Sequence, residues 1–256
     1  KKLIILTGPT AVGKTDLSIR LARTVGGEII SADSMQVYRR MDIGTAKIRP
    51  EEMDGVRHHL IDILEPTESF NAFLFKEYAL KAANEIWERG CIPIIVGGTG
   101  FYIQTLLYDI EFAKSDENDG IRDELNKLYE EHGAAFLHDM LAKVDPEYAA
   151  EVHENNVKKV IRAIEFYRQT GHKLSEHNTE QRERTSPYNF EYFVLSDDRT
   201  VLYERIDKRI DKMVEAGLIA EVQALLDEGV DRRSVAMQGL GYKEIASYLA
   251  GEISLD

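Results

Sequence analysis

The segment GPTAVGKT, Gly8 to Thr15, constrains this chain more than any other. It matches G-x-x-x-x-G-K-[ST], follows the apolar run Leu3-Ile4-Ile5-Leu6, and opens a helical pattern through Leu17, Ile19, Leu21 and Ala22. Strand, glycine-rich loop and helix in that order are the context this motif requires. Across Gly8, Pro9, Thr10, Ala11, Val12 and Gly13 the backbone is free to turn its N–H groups onto phosphate oxygens. The new helix adds its positive dipole end, Lys14 adds a point charge, and the Thr15 hydroxyl is placed to ligate Mg²⁺. An ordinary glycine-rich turn does not account for Lys14 and Thr15 together. A polyphosphate site is expected; the motif leaves open which polyphosphate binds and what attacks it.

Around the loop, short apolar runs alternate with amphipathic stretches. Strands are expected at Leu3–Leu6, Glu28–Ala32, His59–Leu64 and Cys91–Val96, with helices over Lys14–Val25 and Asn71–Arg89 between them. Such alternation predicts a parallel sheet with helices on both faces. The character changes after Asp109. The stretch AKSDENDG, 113–120, is polar enough to predict a mobile segment, and from Ile121 to Leu174 the periodicity is helical throughout. A strand at Asn189–Leu195 and long amphipathic helices close the chain. The fold class is therefore α/β. A P-loop NTPase-like parallel-sheet core of residues 1–110 and 189–256, helical in its C-terminal part, is interrupted by a helical insertion, 111–188.

Composition bounds the partners. At 256 residues the chain is long enough for one sizeable core with a smaller companion. The single cysteine, Cys91, excludes an internal disulfide and suits a reducing cytoplasm. No apolar run is long enough to cross a bilayer and no secretory segment opens the chain, so no membrane association is expected. Lys1-Lys2 runs straight into a strand, as in a chain lacking its initiator methionine. The seven histidines show no zinc-ligand spacing. A net charge of −13 argues against nucleic acid as a partner of the whole surface. Contact with it would need a local basic patch, such as Lys158, Lys159 and Arg162 or the arginines after Asp198.

In open α/β sheets, ligands sit outside the carboxyl ends of the strands. Three such ends carry reactive residues here: the phosphate loop, Asp33-Ser34, and Gly97-Gly98-Thr99. They are expected to face one crevice. Asp33 has three readings: a turn cap, a Mg²⁺ ligand, or a general base for an incoming nucleophile. Thr99 reads as a hydroxyl donor to a leaving phosphate oxygen, as the N-cap of the following helix, or as both. The CIPIIV strand ends without an acid, and no guanine-reading N-K-x-D run is present. Arg205, Arg209 and Lys212 share one helical face. They read either as a clamp for a diphosphate or as a solvated face balanced by Glu204, Asp207 and Asp211.

Taken together, these residues resemble the tRNA dimethylallyltransferase (tRNA isopentenyltransferase) family. The likeness is carried by GPTAVGKT at 8–15, SADSMQVYRRMDIGTAK at 31–47, HHLIDI at 58–63, IPIIVGGTGFY at 92–102, LYERIDKRIDKM at 202–213 and GLGYKE at 239–244. The resemblance implies transfer of a dimethylallyl group from its diphosphate to the exocyclic amine of the adenosine 3′ of the anticodon. By that resemblance Gly8 to Thr15 hold the diphosphate, with Mg²⁺ at Thr15. Asp33 accepts the amine proton, and Thr99 addresses the oxygen between allyl carbon and diphosphate. Arg205 or Arg209 clamps the diphosphate. Asp33, Ser34, Met35 and Gln36, with Lys158, Lys159, Val160, Ile161 and Arg162, contact the tRNA anticodon stem-loop. A cytoplasmic monomer is expected. The family pattern also continues into a basic C-terminal segment beyond residue 256. Three rivals remain: an isopentenyltransferase acting on free adenine nucleotide, a P-loop small-molecule kinase with Asp33 as base, and a non-catalytic nucleotide-binding module. The helical insertion argues for tRNA, since a mononucleotide needs no such grip.

Overall fold

The computed structural model describes residues 1–110 and 120–254, so the polar stretch 113–119 expected to be mobile lies outside the described residues. The chain divides into two compact units, one of Lys1–Leu107 with Pro187–Asp256 and the other of Tyr108–Ser186. In chain order the elements are β1 (Lys2–Thr7), α1 (Lys14–Val25), β2 (Gly27–Ser31), β3 (His58–His59), α2 (Ala72–Glu88), β4 (Ile92–Gly97) and α3 (Gly100–Leu107). Next come α4 (Ile121–Val144), α5 (Pro146–Glu151), α6 (Val157–Thr170) and α7 (Leu174–Glu183). Last are β5 (Asn189–Val194), α8 (Arg199–Glu215), α9 (Leu218–Asp227) and α10 (Tyr242–Leu249).

In the first unit all five strands are parallel, in the order β3-β2-β4-β1-β5. The α/β expectation holds, and period two explains how the sheet is covered. Ile4, Ile29, Ile94 and Val96 join Ile19 and Ala22 of α1 in one apolar cluster. The alternate residues Ile5, Ile30 and Ile95 point the other way and are fully buried, and α2 packs against β2 and β4. Asn71 caps α2, its side chain accepting from the Leu74 N–H at 3.0 Å.

One element is shorter than its sequence predicts. The expected strand at His59–Leu64 is reduced to His58–His59, because Leu60 and Asp62 adopt left-handed backbone, φ 64° and 54°. The segment turns instead to the 36–38 stretch. The N–H groups of Asp62 and Ile63 donate to the carbonyls of Gln36 and Val37 at 3.2 and 2.9 Å. The Asp62 carboxylate takes the buried Lys47 ammonium at 2.5 Å. The same ammonium pairs with Asp42 at 2.7 Å and donates to the Tyr38 carbonyl at 2.6 Å, so Asp62 completes the pairing of a buried cation.

The second unit is helical. Its core joins Leu125, Leu137 and Leu141 of α4 to Val160, Ile161 and Ile164 of α6, and α4 is kinked at Gly133. Asp145, 1 % exposed, ties two helix starts together. It accepts from Tyr148 N–H at 3.1 Å in α5, and from the Ser175 N–H and hydroxyl at 2.9 and 2.7 Å in α7.

Candidate active site

Three adjacent strands of the first unit deliver the reactive residues to one edge of the sheet. Thr7 of β1 is in register with Gly97 of β4, and Val96 with Ser31 of β2. The segments that follow, starting at Gly8, Gly98 and Ala32, therefore leave the sheet side by side. Glycine is required at position 97, because a Cβ there would lie 2.3 Å from the Ala32 carbonyl oxygen. The next residue lies against the phosphate loop: a Cβ on Gly98 would be 3.8 Å from the Gly8 oxygen. The Thr99 N–H donates to the Ala32 carbonyl at 3.4 Å, closing the gap between the β4 and β2 ends.

The loop itself behaves as its spacing requires. Gly13 enters α1 in left-handed backbone, φ 94°, and the Lys14 ammonium folds back to donate to the carbonyls of Gly8 at 2.8 Å and Pro9 at 2.7 Å. Thr15 is exposed in the first turn, its carbonyl taken by the Ser18 hydroxyl at 2.7 Å. Among the described residues its own hydroxyl takes no hydrogen bond, and no group of three or more Asp, Glu, His or Cys forms a metal cage. One hard oxygen fits a cation shared with a polyphosphate, the way Mg²⁺ is usually held, rather than a resident metal.

Asp33 realises the cap reading with one oxygen. Its Oδ1 accepts from the N–H groups of Met35 at 2.8 Å and Gln36 at 3.2 Å, while Oδ2 takes no hydrogen bond among the described residues. Capping therefore does not exhaust the carboxylate. Its charge is felt by three neighbours. Burial lowers the pKa of Lys14, and Arg209 adds to the fall while Asp33 opposes it. Burial also lowers that of Arg209, again against Asp33. Burial, helped by the Asp33 charge, pushes the Tyr102 phenol up to about 12. Thr99 starts α3 with its carbonyl, which accepts from the N–H groups of Tyr102 and Ile103 at 3.0 and 3.3 Å. Its hydroxyl takes no hydrogen bond among the described residues.

Helix α8 brings in both candidate arginines, in different ways. Arg209 is half-buried and donates from Nη2 to the Thr45 carbonyl at 3.5 Å. Arg205 is exposed, pairs with Asp197 at 2.9 Å, and reaches the Ala11 carbonyl at 3.4 Å. Arg209 thus shares the electrostatic neighbourhood of Lys14 and Asp33, and Arg205 sits at the crown of the loop. Gln36 is engaged within the protein. Its Nε2 donates to the carbonyls of Thr45 and Ala46 at 3.2 and 3.4 Å, and its Oε1 meets the Ser31 hydroxyl at 3.5 Å. Ser34 and Met35 are half-buried beside it.

Two of the expected RNA-facing residues do something else. Val160 and Ile161, 0 % and 5 % exposed, point into the core of the second unit and leave no side chain outward. Helical periodicity explains this, since Lys158, Lys159 and Arg162 occupy the opposite, exposed face of α6. Tyr102 and Glu221 carry no chemical signal in the sequence. Tyr102 lies in the conspicuous GGTGFY run but reads as core, and Glu221 sits in an ordinary amphipathic helix, α9.

The chain is similar to known proteins over nearly its whole length. The family model described as IPP transferase matches residues 36–256, and that described as isopentenyl transferase matches residues 1–70. Among curated proteins, the tRNA dimethylallyltransferase of Lachnoclostridium phytofermentans is 59 % identical over 99 % of this chain and 81 % of its own length. That of Carboxydothermus hydrogenoformans is 50 % identical over 100 % of this chain and 82 % of its own. Two solved structures are similar. The full-length tRNA isopentenylpyrophosphate transferase of Bacillus halodurans is 46 % identical with TM-score 0.71, over 99 % of this chain and 79 % of that one. A eukaryotic dimethylallyltransferase acting on tRNA is 33 % identical with TM-score 0.86, over 98 % of this chain and 64 % of that one.

Proposed function

Because the chain belongs to the tRNA dimethylallyltransferase (IPP transferase) family, we propose that it prenylates tRNA, taking a dimethylallyl group from dimethylallyl diphosphate. The acceptor is the exocyclic amine of the adenosine 3′ of the anticodon. The observation that carries this reading is the grouping of Lys14, Asp33 and Arg209: two partly desolvated cations and one carboxylate with an oxygen left over, beside a phosphate loop.

The chemistry follows from those groups. The amine lone pair attacks the allylic carbon, the carbon–oxygen bond breaks, and the diphosphate leaves with the electron pair. Donors fixed in advance where that negative charge develops are usually the largest single contribution. The N–H groups of residues 8–15, Lys14 and Arg209 supply them, with Arg205 as an outer contact. A divalent cation at Thr15, for which we propose Mg²⁺, would add positive charge there. Thr99 is assigned to the oxygen being released. Asp33 takes the amine proton through Oδ2 while Oδ1 keeps its turn, a base contribution of about 10²–10⁴-fold.

The adenine has to leave its stack, at a cost of a few kcal/mol, and an anticodon loop is single-stranded RNA of the kind proteins read by splaying bases. Ser34, Met35 and Gln36 are assigned to the acceptor side, and the exposed cations Lys158, Lys159 and Arg162 to phosphates of the stem-loop. That local basic face answers the net charge of −13. We propose a cytoplasmic monomer, since one chain supplies every strand end of the site. No helix among the described residues is long and apolar enough to cross a membrane.

Labelled dimethylallyl diphosphate, offered with unmodified tRNA, with AMP, or with ATP and small acceptors, tests the assignment. Label in tRNA is the expected result. Label only in AMP, or phosphate transfer from ATP, would overturn it.

A further inference from the structure

The DIGTAK loop, 42–47, is held from a distant part of the chain by a single carboxylate. Glu221 of α9 accepts from the N–H groups of Asp42 and Ile43 through Oε2 at 2.9 and 2.8 Å. Through Oε1 it accepts from the Gly44 N–H at 3.2 Å and from the Tyr242 hydroxyl of α10. Four donors converge on one side chain. Bonds to an ionised acceptor are roughly twice as strong as neutral ones. Gly44 is glycine because there is no space for more: a Cβ would lie 2.5 Å from the Tyr242 ring and 2.9 Å from Leu218. Burial and the bond to Glu221 push the Tyr242 phenol far above its ordinary 10, so it remains a donor at any working pH.

What this loop carries makes the grip more than a brace. Its next two carbonyls, on Thr45 and Ala46, receive the Gln36 amide, and the Thr45 carbonyl also receives Arg209. Gln36 closes the turn that Asp33 caps. One path of hydrogen bonds therefore runs from α10 and α9, through residues 42–46, to the acceptor-side turn and to an arginine beside Lys14.

We propose that Glu221 is a positioning residue for prenyl transfer, and that Tyr242 fixes its carboxylate so that the 42–46 loop aligns Gln36 with the acceptor, the contact of this loop with Arg209 being a single long bond of 3.5 Å. The phosphate loop lies outside this path. Losing Glu221 should thus injure the acceptor step while leaving the donor's hold intact. The proposal rests on the tRNA-prenyltransferase reading given above.

The test compares wild type with Glu221→Gln and Tyr242→Phe in four measurements: steady-state kinetics with tRNA, affinity for dimethylallyl diphosphate, thermal unfolding, and amide hydrogen exchange over residues 41–47. Glu221→Gln presents an amide N–H₂ to groups that are themselves donors. It should lower kcat/KM for tRNA by about 10- to 100-fold, the scale of an ångström-sized misplacement. Donor affinity should stay within about threefold, and exchange at 42–44 should accelerate. Tyr242→Phe keeps the ring that packs on Gly44 and loses one bond to a charged group, so about a tenfold loss in the same parameter is expected. The proposal is overturned if the 42–44 amides lose protection while tRNA kinetics stay within twofold. It is equally overturned if both variants lose donor affinity in step with activity, or lose activity only by unfolding. A wild type that fails to label tRNA would instead refute the functional reading; the exchange data report on the grip regardless.

Discussion

At the entry of β2, Glu28 holds Arg89 with both oxygens, at 2.9 and 2.8 Å, and His59 at 2.7 Å, whereas just past the exit Asp33 accepts two backbone N–H groups through one oxygen. Five residues apart on nearly the same strand, one carboxylate is fully paired and the other is half used. Their cationic neighbours differ in the same sense. The pKa of Arg89 is raised, chiefly by its bond to Glu28, while burial lowers those of Lys14 and Arg209 beside Asp33. Paired charge at the amino-terminal edge of the sheet stabilises the fold. For the carboxyl edge we propose that the desolvated cations Lys14 and Arg209, with the spare oxygen of Asp33, serve a bound ligand.

The largest effect expected from this contrast is at Asp33. Asp33→Asn keeps an oxygen for the Met35 and Gln36 N–H groups but cannot accept a proton. Turnover should fall by about 10²–10⁴-fold, with the melting temperature and donor affinity almost unchanged. A variant that loses donor binding but retains turnover per bound substrate would make Asp33 a metal ligand and break the comparison.

Lys14 comes next. Lys14→Ala removes the charge proposed to contact the diphosphate, so donor affinity should fall by about 10- to 100-fold. The same residue predicts a pH dependence. A lysine whose pKa is depressed loses its proton at lower pH than usual, so donor affinity should decline on the alkaline side before 10.5, Lys14's ordinary value, is reached. Titration calorimetry across that range would detect it. An unchanged affinity in the alanine variant, or a decline only above 10.5, counts against a desolvated Lys14.

The two arginines should separate by degree. Arg209 is half-buried and shares the Asp33 field, so Arg209→Ala should cost about tenfold in kcat/KM for the donor. Arg205 is exposed and already paired with Asp197, and exposed ion pairs contribute little, so Arg205→Ala should cost no more than about threefold. Equal losses would mean that burial does not distinguish a clamp from its surroundings.

How far the site could be read from the sequence depended on the reach of each interaction. The phosphate loop was legible because its geometry is local: Gly13 turns the chain, Lys14 folds back six residues to Gly8, and spacing alone encodes both. The three strand ends were legible too, since alternating strands and helices imply a parallel sheet whose carboxyl edges align. The 31–47 stretch was recognisable but not interpretable. Its partners are Asp62, Arg209, Glu221 and Tyr242, and no local pattern says that a carboxylate 178 residues later will take the Ile43 N–H. The expected strand at His59–Leu64 failed for the same reason, because its Asp62 and Ile63 N–H groups bond to the carbonyls of Gln36 and Val37 instead. Val160 and Ile161 failed by periodicity: a run of five consecutive helical residues cannot face one ligand.

The smallest effect on catalysis, and the sharpest control, is expected at Glu28. Burial pushes its pKa up, but hydrogen bonds from Arg89 and His59 more than offset this, so the folded-state value lies below the ordinary 4.5. A carboxylate depressed in this way contributes stability above about pH 4.5, and that contribution is lost as pH falls through the folded-state value. Glu28→Ala should therefore destabilise the protein at pH 7 by about 1–3 kcal/mol, the scale of hydrogen bonds to a charged group. The destabilisation should shrink toward pH 3, and kcat with tRNA should match wild type below the melting transition. Urea unfolding at several pH values, alongside turnover at a temperature where both proteins are folded, measures the two separately. A fall in kcat with no fall in stability would mean that charge at the two ends of β2 is coupled through the strand, and that the division between a paired edge and a working edge is false.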